Sequence, residues 1–318
     1  MENSDQSGHR GGRDHRSGAG RDLVPHPDGR GASERQPAGP LRSKIGRSIA
    51  LVAALAIAGG CAYLSERQGE LIFRPAKGVW RGFSPERYAF DEHWITVGAD
   101  QKLHAWWLKG DDPKAPVVLY LHGARWNLTG SVTRIDRWRS LGFAVLAVDY
   151  RGFGKSSDVA PTEAYAYEDA EAAWDYLAKI APGRARYIVG HSLGGAIATE
   201  LARRRPEAAG LVLEATFTSV QDMVELSPWG FLPVGLILTQ RFDTLAKIGE
   251  VRVPVLISHG TRDSIVPFEM GERLYGAAKS PKRFIKVEGA GHHNLSGAGF
   301  EEYRAALSEL FGLRAKPL

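Results

Sequence analysis

The chain has one cysteine, Cys61, among 318 residues, so no disulfide can close within it. It also has little charge imbalance where it matters. The formal net charge is +5, but residues 1–47 hold nine Lys/Arg and six Asp/Glu, a net of +3; the remainder carries 32 basic and 30 acidic residues, a net of +2. A near-neutral folded part gives no electrostatic footprint for nucleic acid, so no nucleic-acid partner is expected. There is no H-E-x-x-H spacing and no cysteine partner for a metal, and neither a metal nor another cofactor is expected. Gly154-Lys155-Ser156 ends like a P-loop, but the first glycine of that motif would fall at Asp149 and the phosphate cradle fails.

Long apolar runs are scarce too. The exception is "SIALVAALAIAGGCAYL" (48–64), uncharged and at the short end of what spans a bilayer as a helix. Lys44 and Arg47 precede it, so a signal anchor would leave the N-terminus cytoplasmic and the bulk of the chain exported. Ala-Gly-Gly-Cys (58–61) also fits a lipoprotein signal, and an ordinary apolar helix is the third possibility. Residues 1–44, rich in Gly, Arg, Ser, Asp and Pro without apolar period, are expected to form a disordered tail, followed by the anchor or signal at 45–65. The expected placement is a membrane-anchored protein with an extracytoplasmic folded domain over 70–315.

What is present begins with 43% hydrophobic and 24% charged residues, enough for a sizeable core. "HWITVGADQKLHAWWLKG" (93–110) alternates around a turn and predicts a β-hairpin. Short Val/Ile/Leu runs follow at 116–123, 143–152, 186–192, 210–217, 253–260 and 283–291, as expected of strands buried on both faces. Helical periodicity lies between them, most clearly over 162–181. The alternation predicts an α/β fold, a mostly parallel central sheet flanked by helices, with its site at the carboxyl ends of the strands.

Three chemically useful landmarks follow those ends. Gly190-His191-Ser192-Leu193-Gly194 is G-x-S-x-G at a strand-to-helix junction, where a serine can be held on a tight turn. A serine hydroxyl needs a base, and the base an orienting acid. Asp263 follows the run at 253–260, and His292-His293 follows the run at 283–291, giving the chain order Ser, acid, His. A gathering of His122, His191, His292 and His293 also raises a metal site, which the absence of ligand spacing disfavours.

Taken together, "ELIFRP" (70–75), "LYLHG" (119–123), "DYRGFGKSS" (149–157), "GHSLGG" (190–195), "SHGTRDSIVP" (258–267) and "GAGHHN" (289–294) resemble the α/β-hydrolase superfamily, especially its membrane-anchored, serine-aminopeptidase-like hydrolases. The resemblance implies Ser192 as nucleophile, Asp263 as acid and one of the paired histidines as base. It implies an oxyanion hole from the backbone N–H groups of Leu193 and Ala124. Many relatives carry an Asn-Ala-Gly-like stretch after His-Gly, where this chain has Ala124-Arg125-Trp126-Asn127. Aligning Gly-His of the family with the first histidine makes His292 the base and His293 its polar neighbour; using His293 before Asn294 is the other register.

The expected activity is hydrolysis of a carboxylic ester or thioester of a small-molecule acyl substrate through an acyl-enzyme. An aminopeptidase is the alternative within the fold, for which Glu225 is the candidate anchor of a free amine; a non-catalytic binding domain is the alternative outside it. An aspartate nucleophile would be expected at position 192 for dehalogenase chemistry. Residues 218–250 predict either a short lid over an apolar acyl pocket or a helix packed on the sheet. Asn127 and Asn294 stand in glycosylation sequons and neither is expected to be used. Oligomeric state is left open.

Overall fold

The computed structural model describes residues 40–313 except 229, 232–234 and 236. The disordered tail expected over 1–44 therefore lies outside the described residues up to 39, and Pro40 opens helix α1 (Pro40–Phe73). Among the described residues the chain divides into two units, 40–53 and 54–313. Within α1, Arg47–Phe73 is long and apolar enough to cross a membrane. Its apolar side chains over 49–55 are exposed, Ile49 and Leu55 both at 64%. Burying such a surface in lipid is favourable, and leaving it in water is not.

The second unit is built on an eight-stranded sheet of order β1-β2-β4-β3-β5-β6-β7-β8. The predicted hairpin forms β1 (Asp91–Val97) and β2 (Gln101–Leu108), antiparallel to each other, with β2 antiparallel to β4 (Ala144–Val148). From β4 through β3 (Val117–Leu121), β5 (Arg186–His191), β6 (Gly210–Glu214), β7 (Val255–Gly260) and β8 (Lys282–Val287) every pairing is parallel. Strands β3, β4, β6 and β7 are buried along their full lengths, and β5 along all but its first residue, Arg186, as their apolar runs require, while edge strand β8 alternates. This is the expected α/β architecture.

Helices α2 (Leu128–Ser140), α3 (Glu163–Ile180), α4 (Leu193–Arg204), α7 (Phe268–Ala277) and α9 (Phe300–Phe311) cover the sheet, with short α5 (Val220–Glu225), α6 (Thr244–Ile248) and α8 (Leu295–Ala298) in the connections. One core gathers Trp174, Ile197, Leu201 and Phe242 around Phe73 at the end of α1; the other gathers Trp138, Phe143, Tyr187 and Tyr303. Helix starts follow local chemistry. The Thr162 hydroxyl accepts from Tyr165 N–H (3.1 Å) and the Asn127 carbonyl from Thr129 N–H (3.0 Å).

Register fixes what matters next. Leu121 pairs Gly190, His191 pairs Glu214, Glu214 pairs Ser258 and Gly260 pairs Val287, so the carboxyl ends of β3, β5, β6, β7 and β8 share one edge. His122, Ser192, Asp263 and His292 all follow from that edge.

Candidate active site

Ser192 stands between β5 and α4 at φ 55°, ψ −119°, a left-handed conformation that a non-glycine residue holds only under strain. Its N–H donates to Glu214 O on β6 (2.8 Å), which helps to hold the turn. The glycines around it are steric requirements. A Cβ at Gly190 would fall 2.2 Å from Gly194 O, one at Gly194 2.1 Å from Leu121 O, and one at Gly195 1.9 Å from Thr216 Oγ1.

Asp263 lies in the loop after β7. Its Oδ1 accepts from Ile265 N–H (2.8 Å) and Val266 N–H (2.9 Å), and its Oδ2 accepts from His292 Nδ1 (2.7 Å). His259 Nε2 stands 3.4 Å from the same oxygen and donates to Val266 O (2.9 Å). Burial alone would raise the pKa of Asp263, but hydrogen bonding from His259, His292 and Val266 N–H outweighs it, with the charge of His292 adding to them. The carboxyl stays well below the usual range. A carboxylate facing Nδ1 puts the neutral imidazole's proton there and leaves Nε2 as the acceptor.

The paired histidines are not equivalent. His292 is buried and carries the Asp263 contact. His293 stacks on Trp126 (centroids 4.7 Å apart), and its Nδ1 accepts from Arg134 Nη2 (3.0 Å). Burial, His292 and Arg134 push its pKa down to about 4, so it is neutral at physiological pH. His191 donates from Nε2 to His292 O (2.9 Å), bracing the loop that carries His292. Burial, chiefly, with Arg134 and His292 adding to it, drives its pKa well below 6.5.

Nitrogens of His191, His292 and His293 lie within 4.8 Å of one another, which a metal could exploit. Each ring already commits one nitrogen, to His292 O, Asp263 and Arg134 respectively, and the guanidinium adds positive charge beside the cluster. That donor set fits a cation poorly.

Leu193 is the first residue of α4, so its N–H has no intrahelical acceptor. Across the turn, a Cβ at Gly123 would lie 3.2 Å from Ser192 Cβ, which brings the 122–124 backbone against the serine. Sequence inspection missed what holds that loop. Tyr150 Oη donates to His122 O (3.0 Å), and buried Asp149 sits 3.3 Å from His122 Nε2 while accepting from Leu128 N–H (2.9 Å). Gly154 makes room, since a Cβ there would fall 2.0 Å from Asp149 Oδ2. "DYRGFG" thus supports the 122–124 loop. Arg125 N–H donates to Phe73 O (2.8 Å), tying the end of α1 to the same loop.

Ser192, His292, Ala124, Trp126, Arg134 and Ile265 line one cleft of about 310 Å³. A larger, open groove near Arg203, Glu250 and Lys279 holds none of these residues. Among the described residues, none from 218–250 lines the cleft. Glu225 is exposed on α5 and accepts from Gln221 Nε2 (2.9 Å). Asn127, 3% exposed, donates its amide to Ala76 O (3.2 Å) and Gly78 O (2.7 Å), which leaves no room for a glycan.

Residues 111–246 match the family described as serine aminopeptidase, S33. An uncharacterized protein of Mycobacterium tuberculosis is 32% identical over 251 residues, covering 77% of this chain and 88% of the relative. The lysophosphatidylserine lipase ABHD12 of Danio rerio is 32% identical over 216 residues, covering 59% of this chain and 56% of that protein, so the alignment spans little more than half of the lipase. Among solved structures, the Pyrococcus furiosus esterase Pf2001 superposes with a TM-score of 0.60 at 20% identity (75% of this chain, 98% of that one). Est1E of Butyrivibrio proteoclasticus, solved with ferulic acid bound, gives 0.59 at 20% (70% and 100%). The chain belongs to the serine-aminopeptidase-like family of α/β-hydrolases and is a serine hydrolase.

Proposed function

We propose that the enzyme cleaves a carboxylic ester or thioester of an acyl chain through an acyl-enzyme on Ser192. His292 Nε2 takes the Ser192 proton as Oγ attacks the carbonyl carbon, and the oxyanion that forms is held by the N–H groups of Leu193 and Ala124. Collapse breaks the ester bond, and the leaving oxygen or sulfur receives the proton from His292. Water, deprotonated by the same nitrogen, then attacks the acyl-enzyme and releases the acid. Asp263 keeps the imidazole in its Nδ1–H tautomer and balances the imidazolium formed in both steps.

One observation carries this proposal: the 2.7 Å contact of His292 Nδ1 with Asp263, in the same cleft as a serine held on a strained turn. Similarity to lysophosphatidylserine lipases and the exposed apolar helix α1 favour an amphiphilic acyl ester met at a membrane. In this arrangement α1 anchors the chain with its N-terminus cytoplasmic and the hydrolase unit on the far side. Aminopeptidase action gains no support from Glu225, whose carboxylate is exposed and bonded to Gln221.

Kinetics on p-nitrophenyl esters of increasing chain length, set beside aminoacyl anilides, test the proposal. Higher kcat/KM on the esters is expected. A preference for the anilides contradicts it.

A further inference from the structure

The last turns of α1 are fixed to the hydrolase. Gly69 packs so closely on the loop before α3 that a Cβ would fall 2.0 Å from Pro161 O. Buried Gln68 donates to Ile237 O (2.6 Å) and accepts from Thr239 N–H (2.7 Å), and Phe73 is part of the core. The uncharged run ends at Leu64, four residues before Gln68. At about 1.5 Å per residue that is about 6 Å along the helix. The polar layer on each side of a bilayer's hydrocarbon is about 5–8 Å deep. A helix that spans the membrane up to Leu64 therefore holds the sheet edge carrying Ser192 within that layer, because Phe73 O is bonded to Arg125 there.

Side chains facing outward at this edge are apolar. After Phe73 the chain runs along the start of α2, pinned by Gly154 N–H on Ala76 O (2.8 Å), the Asn127 amide on Gly78 O (2.7 Å) and Trp80 N–H on Thr129 Oγ1 (2.8 Å). Held in this way, it still turns Val79 and Trp80 outward, 71% and 47% exposed. Trp80 lies against Trp126 (centroids 4.6 Å apart), which lines the Ser192 cleft, and half-exposed Ile265 lines the same cleft. Arg74, Arg81 and Arg125 are exposed in the same stretches. Exposed apolar groups gathered from separate segments mark an interaction surface. Tryptophan among basic residues is the composition suited to a membrane interface, where the ring sits at headgroup level and the cations meet anionic lipid.

We propose that Val79 and Trp80, with Ile265 at the cleft rim, form a membrane-docking surface. It seats the mouth of the cleft in the polar layer of the bilayer that α1 spans, so that an amphiphile passes from lipid to Ser192 without entering bulk water. This rests on the reading of α1 as an anchor and adds a second contact, made by the hydrolase unit itself.

The test uses the full chain carrying Cys61→Ser and Val79→Cys, labelled with a nitroxide and reconstituted into vesicles of phosphatidylcholine and phosphatidylglycerol. Electron paramagnetic resonance then reads the label's accessibility to oxygen and to a water-soluble nickel chelate. At position 79 the label should be open to oxygen and shielded from nickel. A label placed by Lys109→Cys, just beyond the Leu108–Val145 pair at the opposite edge of the sheet, should be open to nickel. Equal nickel access at the two positions overturns the proposal. Shielding from both reagents at position 79 also overturns it, because protein, such as a second copy of the chain, then covers the ridge. In kinetics, Val79→Asp should lower kcat/KM for a long-chain ester embedded in the vesicles by about tenfold, the scale of losing one buried valine contact, and leave soluble p-nitrophenyl acetate unchanged. An equal loss on both esters, or none on the embedded one, counts against it. Release of the chain from vesicles by alkaline carbonate removes the anchor and this inference with it. An anchored chain with position 79 in water removes this inference alone.

Discussion

Replacing Asp263 by asparagine exchanges one oxygen for an NH₂ group, and the surroundings dictate where it goes. Oδ1 accepts from two backbone N–H groups, Ile265 at 2.8 Å and Val266 at 2.9 Å, so the amide oxygen must take that place. The new NH₂ then faces His292 Nδ1, at the position where Oδ2 now stands 2.7 Å away. Two donors cannot face each other, so the imidazole shifts its proton to Nε2 and can no longer accept one from Ser192. Shape is preserved and only the tautomer is wrong. A loss of about 10⁴ in kcat is expected, the scale seen where an orienting carboxylate is neutralised this way. At about 1.36 kcal/mol per decade that is about 5.4 kcal/mol of barrier. Ester hydrolysis supplies the rate and thermal melting checks the fold. A loss below tenfold in a variant that melts like the wild type would refute the assigned role of Asp263.

The nucleophile turn and the histidine pair give further expectations. Gly194→Ala drives a Cβ to 2.1 Å from the Leu121 carbonyl, which is sheet backbone and cannot yield, so soluble yield and activity should both collapse. Gly276→Ala, inside α7 with nothing within 4 Å, should instead stabilise by about 0.5–1 kcal/mol in chemical denaturation; destabilisation there would count against the packing described. His293 has a folded pKa of about 4 against about 6.5 unfolded, so the unfolded chain binds more protons between those values and stability falls as pH drops through that window. His293→Gln should therefore lose less Tm than the wild type between pH 7 and pH 4.5, and an equal loss would contradict the neutral state assigned to His293. In rate, His292→Ala should lose orders of magnitude and His293→Ala far less.

Much of this was legible in the chain because the relevant signals are local. Unbroken apolar runs announced strands covered on both faces, and Gly190, Gly194 and Gly195 marked a turn where backbones meet. The register of "GAGHHN" was harder, since both histidines precede a polar residue; the Asp263 contact that separates them joins positions 29 residues apart. Arg134 was invisible for a plainer reason. On α2 it looks like one of several surface arginines, and its significance comes from burial beside His293, 159 residues away. Asp149 stood inside a quoted motif, but its work of holding His122 and the start of α2 depends on strands β3 and β4 lying side by side. His259 likewise lay within "SHGTRD" without any mark of its contact with Asp263.

The central claim is that Ser192 is an activated nucleophile. Intact-mass measurement after treatment with a fluorophosphonate tests it directly. One adduct on the wild-type protein, mapped to Ser192, lost in Ser192→Ala and slowed by orders of magnitude in His292→Ala, is the predicted result. An unreactive wild type, or equal labelling of Ser192→Ala, would contradict the account.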